Sequence, residues 1–594
     1  MSRYTFDPKP YLEQIKLILL AIQNEVEWKP RSLRQILAQY PKDGVGMFSF
    51  DQLIAGYEEL KKSNLFEVNS TLEDRIKMKP TRTISGVAPV TVLTKPFPCP
   101  GKCIFCPNDV RMPKSYLRDE PGAQRAEMNS FDPYLQTFNR LLALQKTGHN
   151  VEKVELIVLG GTWSYYPESY QIWFIKRCFE AMNDFGVKDA RDEIKRTNIF
   201  ENAYSSEEII DAQKEKETYN QLIAKIASKD PDGLIHANEK STWEELEKQH
   251  EFNENAISKC VGLVLETRPD CIDEAEVIRL RKLGATKIQI GIQSLDDKIM
   301  ELNKRGHTHV QTSDAIKLLR TAGFKIHGHW MPNLYGSSVK KDIEDYKKLW
   351  LPDISPDELK IYPTSIIANT ELFDKYKSGD YKPYDYSELL EVLTETLPTT
   401  PRYCRLTRII RDIPSTDIVA GNKLTNFRQI AEDQIHKDGK KCECIRCREI
   451  KGVSVHFDDL EMEVLTYQTI SSVEYFISYK TKSHFNNDGI PGDKIVGFLR
   501  LSLPKAPEAN FIDELRDRAI IREVHVYGNV AGLGHHDMGK SQHIGIGTLL
   551  ISKAKEIAKT DGFDEISVIS AIGTREYYRK KGFSKGNLYM WSEC

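Results

Sequence analysis

Cys99, Cys103 and Cys106 stand in the string PCPGKCIFCPN with the spacing C-x3-C-x2-C. Three thiolates on one short loop can hold three irons of a 4Fe–4S cluster and leave the fourth iron open. That iron can chelate S-adenosylmethionine (SAM) through its amino and carboxylate groups, and reductive cleavage then gives the 5′-deoxyadenosyl radical. Two plainer readings compete. One is a structural zinc loop, which wants a fourth ligand nearby and normally a wider two-part spacing; the other is a coincidental trio of buried cysteines. Gly160, Gly161 and Thr162 follow the apolar run Val158-Leu159, and glycines there let the backbone approach the methionine amino group or simply turn the chain. Glu266 and Arg268, with Asp270, put three ionisable groups at another strand end, as cofactor contacts or as a surface salt-bridge cluster.

Two more constellations lie downstream. Ser541, Gln542, His543, Gly545 and Gly547 form a Q-x-x-G-x-G loop ahead of a helix expected over 548–559. Consecutive backbone N–H groups and a helix N-terminus suit a pyrophosphate, and the loop resembles the acetyl-coenzyme A loop of GNAT acetyltransferases. Strands expected at 522–527 and 565–570 flank it, and Tyr577-Tyr578-Arg579-Lys580-Lys581 follows. A tyrosine there, Tyr577 or Tyr578, can protonate the leaving thiol of coenzyme A, or pack in the core. Cys442, Cys444 and Cys447, in KKCECIRCREI, suit a structural zinc with a distant fourth ligand: His436, His456 or Cys404. A second Fe–S cluster and unligated thiols are the alternatives.

The elements that must carry these groups alternate. Apolar segments at 86–93, 154–159, 262–265, 287–292, 325–329 and 359–362 read as strands, with amphipathic helices at 134–145, 172–182, 274–283, 313–322 and 339–349. Six βα-like units predict an α/β fold, a partial (β/α)6 barrel whose chemistry sits at the C-terminal strand ends. His327 and His329 share a strand face there, as core histidines or as substrate contacts. Residues 1–74 read as a small helical unit, with a capped helix starting near Ser49-Phe50-Asp51. The domain reading is 1–74 helical unit, 75–400 barrel with a polar insertion at 188–255, 401–452 basic cysteine-bearing linker, and 453–594 α+β domain.

Charge and composition bound the function. The chain has 594 residues and a net charge of −3, so no global basic excess advertises nucleic acid. Locally, 75–118 carries nine Lys/Arg against one acidic residue, a charge of +8, while 184–254 carries −8 and reads as solvated helical surface. The first segment and the line Arg402, Arg405, Arg408 and Arg411 suit phosphate attraction, and a splayed base can be read by stacking and hydrogen bonds. No apolar run spans a membrane and MSRYTFDPKP has no signal-peptide core. Eleven cysteines, six of them in two clusters, suit a reduced cytoplasmic metalloprotein better than a disulfide framework.

The whole pattern resembles the catalytic subunit of Elongator, the radical-SAM plus GNAT family that acts on tRNA uridine. The shared strings include SGVAPV, CPGKCIFCPN, VELIVLGGT, LETRPD, IQIGIQS, NKRGHT, LKIYPT, RIIRDIP, REVHVYG, GTREYYRKKGF and NLYM. The stretch 188–255 is longer than the family pattern, and the three-cysteine spacing resembles the prokaryotic-type members. That implies a stand-alone enzyme, compatible with a homodimer and not requiring Elongator-type accessory subunits. The resemblance further implies a 4Fe–4S cluster, SAM, acetyl-CoA as co-substrate, and a tRNA anticodon stem-loop as partner. Carboxymethylation of the wobble uridine at C5 would follow. By the same resemblance Lys153, Glu523, Val524, His525, Val526, Ser541, Gln542, His543 and Tyr577 match acetyl-CoA-contacting positions. The rival function is a protein lysine acetyltransferase with a structural Fe–S barrel, and a non-catalytic tRNA-binding module is a third.

Overall fold

The computed structural model describes residues 6–188, 218–229 and 238–594, apart from residues 30, 68, 84, 412, 452–454, 484–491 and 528–544. Seven strands form the first sheet: β1 (Ala88–Leu93), β2 (Lys153–Leu159), β3 (Lys259–Thr267), β4 (Lys287–Gln293), β5 (Lys325–Trp330), β6 (Glu358–Ile361) and β7 (Arg405–Arg408). Each pairs in parallel with the next in chain order, and β1 and β7 remain edges, so the barrel is partial. Parallel neighbours need crossovers; helices Pro133–Lys146, Glu168–Asp184, Glu274–Lys282, His309–Thr321 and Val339–Lys348 lie in them. Side-chain caps start four of the five, as where Asp132 accepts from Leu135 N and Thr308 forms a capping box with Gln311.

Six strands follow from the sequence pattern; β7 comes from the stretch read as a connector. It is four residues long and turns Arg405 and Thr407 into the lumen, so it lacks an apolar signature. The carbonyls along β7 do not stand bare. Cys404 O accepts from Ile445 N at 2.9 Å, and Leu406 O and Thr407 O accept from Arg428 and Arg446 at 3.0 Å each.

The period of two along each strand explains the lumen. On β2, Val154, Leu156 and Val158 are buried outward under the helices, while Glu155, Ile157 and Leu159 line the interior. The later strands send polar residues inward: Lys287, Gln289 and Gln293; Lys325, His327 and His329; Glu358 and Lys360; Arg405 and Thr407. A lumen so lined is a site, not a packed apolar core.

The C-terminal sheet runs β8 (Leu460–Gln468), β9 (Ser472–Thr481), β10 (Ile495–Pro504), β11 (Arg518–Val526), β12 (Glu565–Val568), β14 (Met590–Glu593), β13 (Ser584–Lys585) in spatial order. Only β11 and β12 are parallel, and their register covers Arg518–Ile521 against Glu565–Val568. Beyond it Glu523–Val526 stays paired to β10 alone among the described residues. This sheet docks on the N-terminal mouth of the barrel. Arg522 holds Asp357 at 2.6 and 2.8 Å with both side chains fully buried, and Lys325 pairs with Glu523. Arg405 donates to Tyr527 Oη at 2.8 Å, and Arg281 donates to Ser570 O at 2.7 Å. Burial alone would raise the Asp357 carboxyl, but Arg522, Arg500 and Arg320 beside it hold it down at about 2.

The N-terminal residues form helices Leu12–Asn24, Ser32–Gln39, Phe50–Lys62 and Ser70–Ile76 around their own core of Ile15, Ile18, Leu19, Leu37, Leu53 and Tyr57. The insertion is less solvated than its charge predicts. Helix Trp243–Asn253 buries Leu246, His250 and Asn253, and Asn183 and Asn253 exchange side-chain bonds with its surroundings. Residues 189–217 and 230–237 of the insertion lie outside the described residues. Among the described residues no helix is long and apolar enough to cross a membrane.

Candidate active site

The loop after β1 buries all three cysteines. Cys99 Sγ lies 3.5 Å from Thr162 Oγ1 and accepts from Gly101 N at 3.4 Å, and Cys106 Sγ lies 3.2 Å from Ser115 Oγ. Cys103 Sγ receives Arg305 at 3.5 Å and Arg268 at 3.9 Å. Its thiol is held well below the ordinary range by the hydrogen bond with Cys106 and, against burial, by Arg305 and Arg268. A lowered thiol is the form that binds metal. The three sulfurs do not all lie within 4.8 Å of one another, whereas those of Cys442, Cys444 and Cys447 do. One zinc with Zn–S bonds of about 2.3 Å draws its sulfurs to within roughly 4 Å of each other. Three buried thiols on one loop, with Cys106 opening on the cavity, suit a group that takes three protein ligands and leaves one position free.

The other strand ends converge on this loop. Gly160 has φ +142°, and a Cβ there would fall on Thr94 Oγ1, so glycine is required. Gly101 likewise leaves room for the Arg268 guanidinium, which is fixed by Asp270 at 2.8 and 2.9 Å and by Arg305 O at 2.7 Å. Glu266 accepts from Tyr116 Oη at 3.1 Å, and burial raises its carboxyl. His329 Nε2 meets Gln289 Oε1 at 2.9 Å and His327 Nε2 meets Thr407 Oγ1 at 2.8 Å, so both histidines are lumen groups. Lys360 bonds Gln289 Oε1, and burial pushes its amine down to about 8.

One cavity of about 910 Å³ joins this end to the C-terminal domain. Cys106, Ser115 and Tyr116 line it beside the cysteine loop, Glu266 and Gln289 farther in, and Glu523, Val524, His525 and Tyr578 at the docked sheet. Burial pushes His525 down to about 4, and its Nε2 has no partner among the described residues. Lys153 begins β2 on the same face as Glu155, at the N-terminal mouth, where burial lowers its amine. Gly545 (φ +74°) caps helix Ile546–Thr560, and a Cβ on Gly547 would strike the Tyr577 hydroxyl, with Val526 close by. Tyr577 is outside the cavity lining, while Tyr578 is inside it. Ser541, Gln542 and His543 lie outside the described residues.

The description "Radical SAM superfamily" matches residues 230–346, and "Radical_SAM C-terminal domain" matches residues 356–437. The tRNA uridine(34) acetyltransferase of Methanocaldococcus infernus is 35% identical, over 93% of this chain and 92% of its own length. Elongator complex protein 3 of Homo sapiens is 32% identical over 88% and 87%. The solved structure of the archaeal Methanocaldococcus infernus Elp3 with an N-terminal deletion superposes with a TM-score of 0.66 at 33% identity, covering 86% of this chain and 100% of that one. The chain belongs to the tRNA uridine(34) acetyltransferase and Elongator protein 3 family.

Within this family member the second cysteine cluster is compact. Cys444 and Cys447 sulfurs are 3.7 Å apart, and Cys442 completes a trio able to hold a metal ion. None of His436, His456 and Cys404 joins that trio; His436 lines the adjoining 750 Å³ hollow, and Glu432 Oε1 lies 3.9 Å from Cys447 Sγ. The basic line dissolves into internal pairs. Arg402 holds Glu443, Glu463 and Asp493, Arg405 holds Glu449, and Arg411 holds Glu120, so these three are not a free phosphate surface. Sequence reasoning passed over Arg305, which reaches Cys103 and Gly291 O from the NKRGHT string. Its place in the NKRGHT string, just after helix Asp297–Leu302, was its signal.

Proposed function

We propose that this chain modifies the wobble uridine of tRNA, using SAM and acetyl-CoA to install a carboxymethyl group at C5. The observation that carries the proposal is the single cavity between the cysteine loop and the C-terminal sheet. Cys99, Cys103 and Cys106 would hold a 4Fe–4S cluster, with Gly160, Gly161, Thr162, Glu266 and Arg268 around SAM. When bound, that cluster supplies the electron that cleaves SAM to a 5′-deoxyadenosyl radical. Acetyl-CoA would sit along the edge of Glu523–Val526 that is open among the described residues, and at Gly545 and Gly547, where a helix N-terminus and glycine backbone suit its phosphates. The Glu523 side chain is committed to Lys325 and Arg500, so its contact would be through the backbone. Lys153, at the same mouth, suits a phosphate or carbonyl of the coenzyme.

The acetyl methyl would lose a hydrogen atom to the 5′-deoxyadenosyl radical, giving 5′-deoxyadenosine, and its carbon would bond to C5 of the base. The adduct would give up the C5 proton and return one electron to the oxidised iron–sulfur group, and water would cleave the thioester to leave a carboxylate and free coenzyme A. Tyr577, against the helix N-terminus, and Tyr578, in the cavity wall, would serve as acids for the departing thiolate. The names of the relatives support tRNA uridine as substrate, and the lumen's polar lining supports a reaction among charged groups. The test is anaerobic: reconstituted protein, SAM, acetyl-CoA, a reductant and uridine-34 tRNA, followed by nucleoside mass spectrometry. 5-Carboxymethyluridine formed only with every component present supports the proposal. Acetyl transfer to a peptide without SAM would replace it with a lysine acetyltransferase.

A further inference from the structure

The insertion reaches back onto the cysteine loop. Asn220, on helix Tyr219–Lys229, makes two bonds to one peptide unit pair: Cys99 N donates to its Oδ1 at 3.1 Å, and its Nδ2 donates to Cys99 O at 2.7 Å. Its neighbour Tyr219 is buried and donates to Met112 O at 3.0 Å, with Lys114 Nζ 4.8 Å over its ring. Farther along, Glu239 pairs with buried Lys95. These tie points, Lys95, Cys99 and Met112, bracket the loop that carries Cys103 and Cys106. Asn220 thus does for Cys99 what a neighbouring strand does for a strand residue: it satisfies both main-chain groups at a place where no strand follows. We propose that Asn220 is a positioning residue for the cluster and that helix Tyr219–Lys229 is a clamp over the cysteine loop, fixing the backbone that presents the Cys99 thiolate. The inference rests on the 4Fe–4S reading of Cys99, Cys103 and Cys106.

The experiment uses the full chain, anaerobically reconstituted. Asn220→Leu removes both bonds at similar volume, and the loss of two part-buried hydrogen bonds to the Cys99 backbone should speed chelator-driven iron loss about tenfold. Asn220→Asp keeps the acceptor toward Cys99 N, loses the donor, and adds negative charge beside the cluster. It should therefore shift the reduction potential to more negative values, which a purely structural role would not do. Glu239→Gln, at the far tie point, should speed iron loss in the same direction by a smaller factor. Iron content, the electron paramagnetic resonance signal of the reduced cluster and the thermal unfolding midpoint are read on each. Wild-type iron loss and potential in both Asn220 variants would overturn the clamp. A wild-type chain that binds no cluster would overturn the parent reading, a separate outcome.

Discussion

Gly262 offers a way to separate the two ends of the cavity without touching either. It lies on β3 opposite Glu155 of β2 and lines the lumen. A Cβ there meets only Glu155, at 3.5 Å from its Cγ, an ordinary contact, and the backbone is not left-handed. Glycine inside a strand is itself unfavourable, and growth into a cavity of about 910 Å³ keeps Gly262→Leu at or below the low end of overpacking, about 1 kcal/mol. The unfolding midpoint should therefore move little. SAM cleavage and acetyl-CoA binding should stay within about threefold of wild type, since neither set of contacts includes β3 at this level. Product formation should fall by about 10² or more, because displacing a reacting group by even about 1 Å costs that much. Quantifying 5′-deoxyadenosine and the modified nucleoside in the same anaerobic samples reads both arms. Carboxymethyluridine at the wild-type rate in Gly262→Leu would show that the two groups do not meet through the lumen.

Three further outcomes are expected. Cys103→Ser should abolish SAM cleavage while leaving tRNA affinity, read by filter binding, nearly unchanged. Cys444→Ser should remove one metal equivalent by elemental analysis if the compact trio holds zinc, and lower the unfolding midpoint by several degrees. Asp357 has its carboxyl depressed from 3.8 to about 2, so its contribution, on the order of 2 kcal/mol, is fully present above pH 3.8 and lost as pH falls through about 2. Acid unfolding followed by circular dichroism should steepen in that window. Asp357→Asn should remove the steepening and cost about 3 kcal/mol at neutral pH, because Arg522, Arg500 and Arg320 lose the carboxylate they share and only Glu474 and Glu523 remain to balance three buried guanidiniums.

The barrel was legible because its helices show period 3.6 and its strands are short apolar runs between turn residues. All six expected strands are present, with ends moved by a few residues: the third extends over Lys259–Thr267 because Lys259 and Cys260 pair with β2 outside the apolar stretch. β7 was not legible, since its inward residues are polar for the same reason that the lumen is. The buried part of the insertion escaped notice because its inward residues are few and scattered among charged ones: Leu222, Ile223, Leu246, His250 and Asn253. The cysteine loop stood out by its spacing and Arg268 by the LETRPD string, but Arg305 did not. Arg268 and Arg305 are 37 residues apart in sequence and meet only because β3 and β4 are adjacent.

The bonds along β7 give the small cysteine knuckle a second consequence. A sheet edge with bare carbonyls invites another chain to pair with it, and here Ile445, Arg428 and Arg446 occupy those acceptors. Ile445 follows Cys444, and Arg446 precedes Cys447. If the knuckle opens, the barrel loses its selvedge before it loses its chemistry. The earliest symptom of a damaged knuckle should then be self-association, visible by light scattering, in protein whose cluster is still intact.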